Sequence, residues 1–362
     1  MRGWAKRLAG AILAVAVVLA GPVLWIEGAC TTRREAGTLT RAPMADEPGY
    51  ARPPANSHLS FPGWHVVYAY EDLAGVLRRG DESDFAYGRQ IATFWKSFCG
   101  LTRVVTARGR VGMDTKVRLY AIGWRFSAEL AIKGAYEKTV GRAFEWLRGP
   151  GKTAEDEFAA RDVQAYAAFL GESPWHEYPF GWRLMTFWRS TPLRGEDLPR
   201  KLERRAVFTI EYGAKALSGA LGGYASATAP GAADPEIETV VVGLDPRDAG
   251  RDPRITIVRE LGRGRTLIRT PGGQAYTDLL VGLARRSRDI AEIAGNHRIL
   301  VTVLVPKGPL PPLPGATELF EAPIQSRPDR RRVGLDVSVE HLAAAIRSME
   351  AAGASIEHIY DY

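Results

Sequence analysis

The sequence predicts an α+β protein behind an N-terminal transmembrane helix. A mainly α-helical domain comes first, then a small α+β domain for which a ferredoxin-like order is the nearest expectation. Three observations carry this: an uncharged run opens the chain, apolar residues at helical spacing fill the middle, and after Asp234 the texture changes to β-branched runs bounded by Gly, Pro and Asp.

The opening run spans Leu8 to Ile26, nineteen residues without a charge, preceded by Arg2, Lys6 and Arg7. Nineteen residues match bilayer thickness. Trp4 and Trp25 bracket the run twenty-one positions apart, as an aromatic belt at the two interfaces requires. Residues 1–27 are therefore expected to be a retained anchor. A cleaved signal segment ending near Val18 to Ala20 is the alternative, and lipidation of Cys30 a weaker one because Glu27 occupies an aliphatic position of that motif. Flanking cations balance. A short tail before a single apolar segment favours tail inside and body outside, so the expected location is a single-pass membrane protein with an extracytoplasmic body. On that side Cys30 and Cys99 are free to pair, although nothing in their spacing demands it.

Residues 28–63 read as a proline-rich linker, either a stiff stalk or a wrapping segment, because Pro43, Pro48, Pro53, Pro54 and Pro62 forbid a continuous helix. Residues 64–233 read as the helical, aromatic-rich domain. Val67, Tyr70, Leu73, Ala74 and Leu77 recur at three and four, as do Ile91, Phe94, Trp95, Phe98 and Leu101. Tyr120 to Ala135 is amphipathic, and helices are expected over Ala154 to Leu170 and Leu198 to Tyr224, with Gly171 to Pro192 as a loop between them. The last of these is rich in small residues, including a Gly219 to Gly223 step that permits close helix approach. Glu211 and Lys215 inside it favour a packed helix over a second span. Arg200, Lys201, Arg204 and Arg205 just before would face headgroups or water.

Residues 234–362 read as the α+β domain. Thr239 to Val242, Ile255 to Val258 and Arg298 to Val305 have strand character, and Ala275 to Ile293 and Val339 to Ala352 have helical spacing. Pro306 to Gly315 is a stiff polyproline loop. This domain is neutral, with 17 basic and 17 acidic residues over 236–362, so the chain's +7 charge belongs to the first 235 residues. Beside a bilayer the nearest polyanion is the headgroup surface, and nucleic acid is not expected as a partner.

Metal and cofactor motifs are absent from the sequence: no HExxH, P-loop, strand-linked GxGxxG or GxSxG elbow occurs, and no cofactor or metal is expected. The least ordinary polar group is His65, Tyr68 and Asp72 on one face of the first helix, with His176 and Glu177 as the only other histidine–carboxylate pair in that domain. Together these five residues are the candidate catalytic group for a membrane-associated hydrolase. The other candidate is an interface. Trp175, Trp182 and Trp188 with Arg183 and Arg189 join Trp4 and Trp25 as residues suited to a membrane surface, rings among acyl chains and guanidinium groups at phosphates. The favoured function is binding or a structural role at the cell envelope, with the lipid bilayer and an envelope protein as partners. A cytoplasm-facing scaffold differs from it only in orientation.

Overall fold

The computed structural model describes residues 20–32, 50–52, 54–109, 111–226 and 236–360. Trp4 and most of the apolar opening run lie outside them. Among the described residues no helix is long and apolar enough to cross a membrane.

The first described element is helix α1, residues 20–29, the end of the apolar run. It lies on the helical body. Ile26 is fully buried, Glu27 pairs with Lys116 at 2.8 Å and accepts from the Tyr120 hydroxyl at 2.7 Å, and Cys30 is disulfide-bonded to Cys99. Helices α2 (Pro54–His58) and α3 (Phe61–Leu77) follow, so the proline-rich stretch ends in helix. Proline at the second position of α3 removes an N–H that would have had no partner there.

The body continues with α4 (Tyr87–Arg108) and α5 (Met113–Tyr136), the latter running through one π-helical turn (Glu137–Gly141) into α6 (Arg142–Arg148). Helices α7 (Ala154–Leu170), α8 (Phe180–Ser190) and α9 (Leu198–Ser226) complete it. Helix α8 falls where a loop was expected. Phe180 and Phe187 are buried seven residues apart on its inner face, while its outer face carries Trp182 and Trp188. The prolines at 174, 179 and 192 obscured a pattern only eleven residues long.

The C-terminal half has a regularity the sequence did not disclose. Strands β1 (Ile237–Val242), β2 (Thr256–Gly262) and β3 (Arg265–Thr270), helix α11 (Gly273–Arg285) and strand β4 (Asp289–Ile293) form a βββαβ unit, with the short helix α10 (Pro246–Arg251) between β1 and β2. Strands β5 (Arg298–Pro306), β6 (Ala316–Pro323) and β7 (Arg330–Ser338), helix α12 (Val339–Ala351) and strand β8 (Ser355–Tyr360) repeat that order. The antiparallel sheets are ordered β2-β3-β1-β4 and β6-β7-β5-β8, one topology twice. Irregularities coincide as well. The register of β1 on β4 shifts between Val240 and Val241, and that of β5 on β8 between Thr302 and Val303. The outer pairs shift after Ile257, opposite Ile268, and after Glu318, opposite Leu335. Bulges at corresponding positions of two ladders mark an internal duplication.

The ferredoxin-like expectation is thereby corrected. That order needs two crossover helices on one sheet, whereas each unit here has one long helix, between its third and fourth strands. The helices are exchanged: α11 lies along β8 and α12 along β4. Their shared core contains Tyr276, Leu280, Leu283, Ile346 and Met349 among Val301, Val333, Leu335 and Ile359. The outer face of the second sheet packs on the helical body, where Phe61 meets Phe320 and Trp64 meets His358, both at 4.3 Å between ring centroids.

Candidate functional site

Each of the five candidate catalytic residues has a place, and the places differ. His65 is 1% exposed, with Nε2 3.0 Å from the Gln90 carbonyl oxygen and its ring among Phe61, Phe94 and Phe126. Burial pushes it down to about 4, so it is neutral at physiological pH. The Tyr68 hydroxyl shares a 3.0 Å hydrogen bond with that of Tyr360, and the Arg332 guanidinium lies 3.9 Å over its ring. Burial raises the Tyr68 phenol well above its ordinary value.

Asp72 is a staple. Its carboxylate accepts from Gln90 Nε2 at 2.9 Å and from the backbone N–H groups of Gln325 at 3.1 Å and Ser326 at 2.6 Å, fixing the turn between β6 and β7 onto α3. Asp72→Ala leaves two backbone donors and an amide without their acceptor, and is expected to lower unfolding free energy by about 2 kcal/mol or more in urea titration. An unchanged urea midpoint would show that the staple carries no stability.

His176 and Glu177 sit apart, on a single 3₁₀ turn (Trp175–Glu177) against α9. Gly219 makes that approach feasible: a Cβ there would lie 3.1 Å from the His176 carbonyl oxygen. Among the described contacts this turn does not meet the His65 group, whose partners come from α4, α5 and the second sheet.

The interface candidates divide. Trp182 and Trp188 are 54% and 49% exposed on α8, Arg189 is exposed beside them, and Trp25 is 41% exposed on α1. Trp175 is half-buried beneath the Arg125 guanidinium, 3.4 Å from its ring centroid. Arg183 turns inward instead of toward phosphate. It pairs with the buried Asp162, and its Nε donates to the Tyr178 hydroxyl at 3.1 Å. A buried carboxylate requires a cation, which decides the orientation.

The densest chemistry is a web of buried charges that sequence reasoning placed at the surface. Arg200, Lys201, Arg204 and Arg205 are all buried. Arg204 reaches Glu82 at 2.8 Å, Glu137 at 2.9 Å and Glu203 at 2.5 Å. Arg200 binds Asp156 at 2.8 Å and Glu203 at 3.0 Å, and Arg205 binds Glu155 at 3.1 Å. Lys133 bridges Glu82 at 2.7 Å and Glu211 at 3.1 Å, while Lys215 joins Glu211 and Glu129, both at 2.8 Å. Asp156 also caps α7, exchanging hydrogen bonds with Thr153. A cavity of about 20 Å³ lined by Glu82, Lys133, Arg204 and Glu211 has room for roughly one water.

The carboxylates in the web differ in charge state. Burial alone would raise Glu82 and Glu211, but Lys133 with Arg204 outweighs it at the first, and Lys133 with Lys215 at the second, so both fall below their ordinary values. Glu137 goes the other way. Burial and the neighbouring Glu82 charge push it up to about 8 in spite of Arg204. It belongs to the π turn, and Gly141 provides its space: a Cβ there would stand 2.2 Å from Glu137 Oε2.

The folded protein thus holds the Glu137 proton to about pH 8, whereas the unfolded chain loses it near 4.5. Excess protons on the folded state mean that stability falls as pH rises through that window. Glu137→Gln, fixed in the neutral form, is expected to flatten the loss between about pH 7 and 8, the upper part of that window, in urea unfolding. The buried histidines His65 and His358, both held down to about 4, act only on the acid side of that range. An identical alkaline slope in the variant would assign the loss elsewhere.

Among the described residues no cluster of His, Cys, Asp and Glu is arranged to hold a metal ion. No protein-family model matches the chain, and neither a curated protein nor a solved structure matches it.

Proposed function

We propose that the chain is a single-span membrane protein of the cell envelope whose exported body works by binding. The observation that carries this is the Cys30–Cys99 disulfide, with Cα atoms 5.1 Å apart, which closes the residue just beyond the apolar run onto α4. Disulfides persist in oxidising compartments, which favours an extracytoplasmic body over a cytoplasm-facing scaffold. The same bond occupies the Cys30 sulfur and removes the motive for lipidation there.

A binding role rests on two further points. The His65 group and the His176 turn make their described contacts on different elements, which favours binding over the hydrolase reading. Helix α8 displays Trp182, Met185 and Trp188 outward, aromatic and soft apolar side chains of the kind that bury well against a bilayer or an envelope protein.

The test uses the full chain in intact cells. Expected are retention in carbonate-washed membranes, two cysteines that resist alkylation until reduced, and an oxidising-side reporter at Tyr362 that is active. Free thiols in the native protein, or a leaderless polypeptide in the soluble fraction, would overturn the proposal.

A further inference from the structure

Beside the anchor lies a groove of about 600 Å³ between α1, α4 and β6. Trp25, Leu319 and Phe320 make its apolar wall, and Arg89, Lys96 and Arg103 line it from α4. These cations are seven residues apart, so they fall on one face of the helix and span about 21 Å. All three side chains are exposed. Among the described residues none has a carboxylate partner. Arg89 donates to the neutral Gln325 amide oxygen at 3.2 Å, and Arg103 to the Ala29 carbonyl at 3.1 Å. The acidic residue in the lining, Glu321, is committed to Arg331 at 2.6 Å.

The position of the groove is fixed by how α1 lies on α4. Cys30 joins Cys99 and Thr32 bonds Thr106, so the two helices run in the same direction. Ala20, the first described residue of α1, therefore lies toward the Arg89 end. On the anchored reading that end of the groove is the one turned toward the bilayer, and the half-exposed Trp25 ring suits the interface where tryptophan partitions.

We infer that this groove binds an anionic phospholipid of the bilayer in which the anchor sits. The phosphate lies at Lys96, with Arg89 and Arg103 about 10 Å to either side drawing the anion in, and an acyl chain runs along Trp25, Leu319 and Phe320. This inference rests on the anchored reading. Charge complementarity selects the ligand, since three cations with no carboxylate partner among the described residues attract anionic over zwitterionic headgroups at a membrane surface. The bound lipid would fix the rotation of the body about its anchor and so decide which face of α8 is presented.

The test is lipid retention by full-length detergent-purified protein in native mass spectrometry, with phosphatidylglycerol or phosphatidylcholine added as mixed micelles. Phosphatidylglycerol is expected to be retained about tenfold better, with the preference shrinking as salt is raised. The triple variant R89Q/K96Q/R103Q should lose about tenfold in retention at an unchanged melting temperature, and R161Q, on the exposed side of α7, should retain lipid normally. Equal retention of the two lipids, undiminished retention by the triple variant, or displacement of phosphatidylglycerol by excess inorganic phosphate alone overturns the inference. Membrane fractionation separates the two levels. A chain that stays in washed membranes without lipid preference overturns the groove and leaves the anchor, whereas recovery in the wash overturns the anchor and the groove with it.

Discussion

Arg204→Met is expected to lower the free energy of unfolding by about 3–5 kcal/mol, the cost of removing one member of a buried ion group and leaving the others behind. Methionine fills similar volume, so packing changes little and the charge term is isolated. The guanidinium of Arg204 serves three carboxylates from three elements: Glu82 before α4, Glu137 in the π turn and Glu203 on its own helix. Without it Glu82 keeps Lys133, and Glu203 keeps Arg200 and the Tyr136 hydroxyl, so neither is wholly abandoned. The partner variants separate the contributions. Glu137 is already neutral at pH 7, so E137Q should rescue R204M little there. E82Q, which removes an ionised buried carboxylate, should recover part of the loss. Urea titration of the single and paired variants measures both, and a loss below about 1 kcal/mol for R204M would mean that solvent reaches the web.

This web also explains what could and could not be read from the sequence. The helical and β-rich halves were legible because apolar periodicity is local: the spacing around Tyr120 or Leu73 needs no knowledge of a partner. The run from Arg200 to Arg205 has no such property. Its cations look like a solvated face because their acids stand at 82, 137, 145, 155 and 156, on elements brought together only by the fold. The π turn has no sequence signature, so the proton-holding Glu137 was invisible. The interior Glu203, flanked by arginines and set in the apolar spacing of Leu202, Val207 and Phe208, was the one local hint. The duplication escaped for a related reason: the two units share hydrogen-bond register and bulge positions, which are backbone properties, and little side-chain identity. His65, Tyr68 and Asp72 lie on one helix, but a shared helix does not make a shared site. Each side chain answers to a different neighbour, and His176 answers to α9.

Cys99→Ala is expected to lower unfolding free energy by about 4 kcal/mol, from the entropy regained by opening a loop of 69 residues. Reductant added to the unaltered protein should give the same loss, and reductant added to the variant should give none. The comparison isolates the bond from the change of side chain. What remains to hold α1 without it is non-covalent: burial of Ile26, about 2 kcal/mol, the half-exposed Glu27–Lys116 pair, at most about 1 kcal/mol, and hydrogen bonds from Tyr120 to Glu27, from Arg103 to the Ala29 carbonyl and between Thr32 and Thr106. With the covalent link gone this segment opens more often, and with it goes the wall that carries Trp25. Limited proteolysis should therefore cut between Glu27 and Arg41 faster in the variant than in the oxidised protein, at denaturant concentrations where the helical body is still folded. Equal cleavage rates would mean that α1 docks by its own contacts. In that case the covalent link acts on the unfolded chain alone, and the geometry of the groove does not depend on the redox state of the compartment.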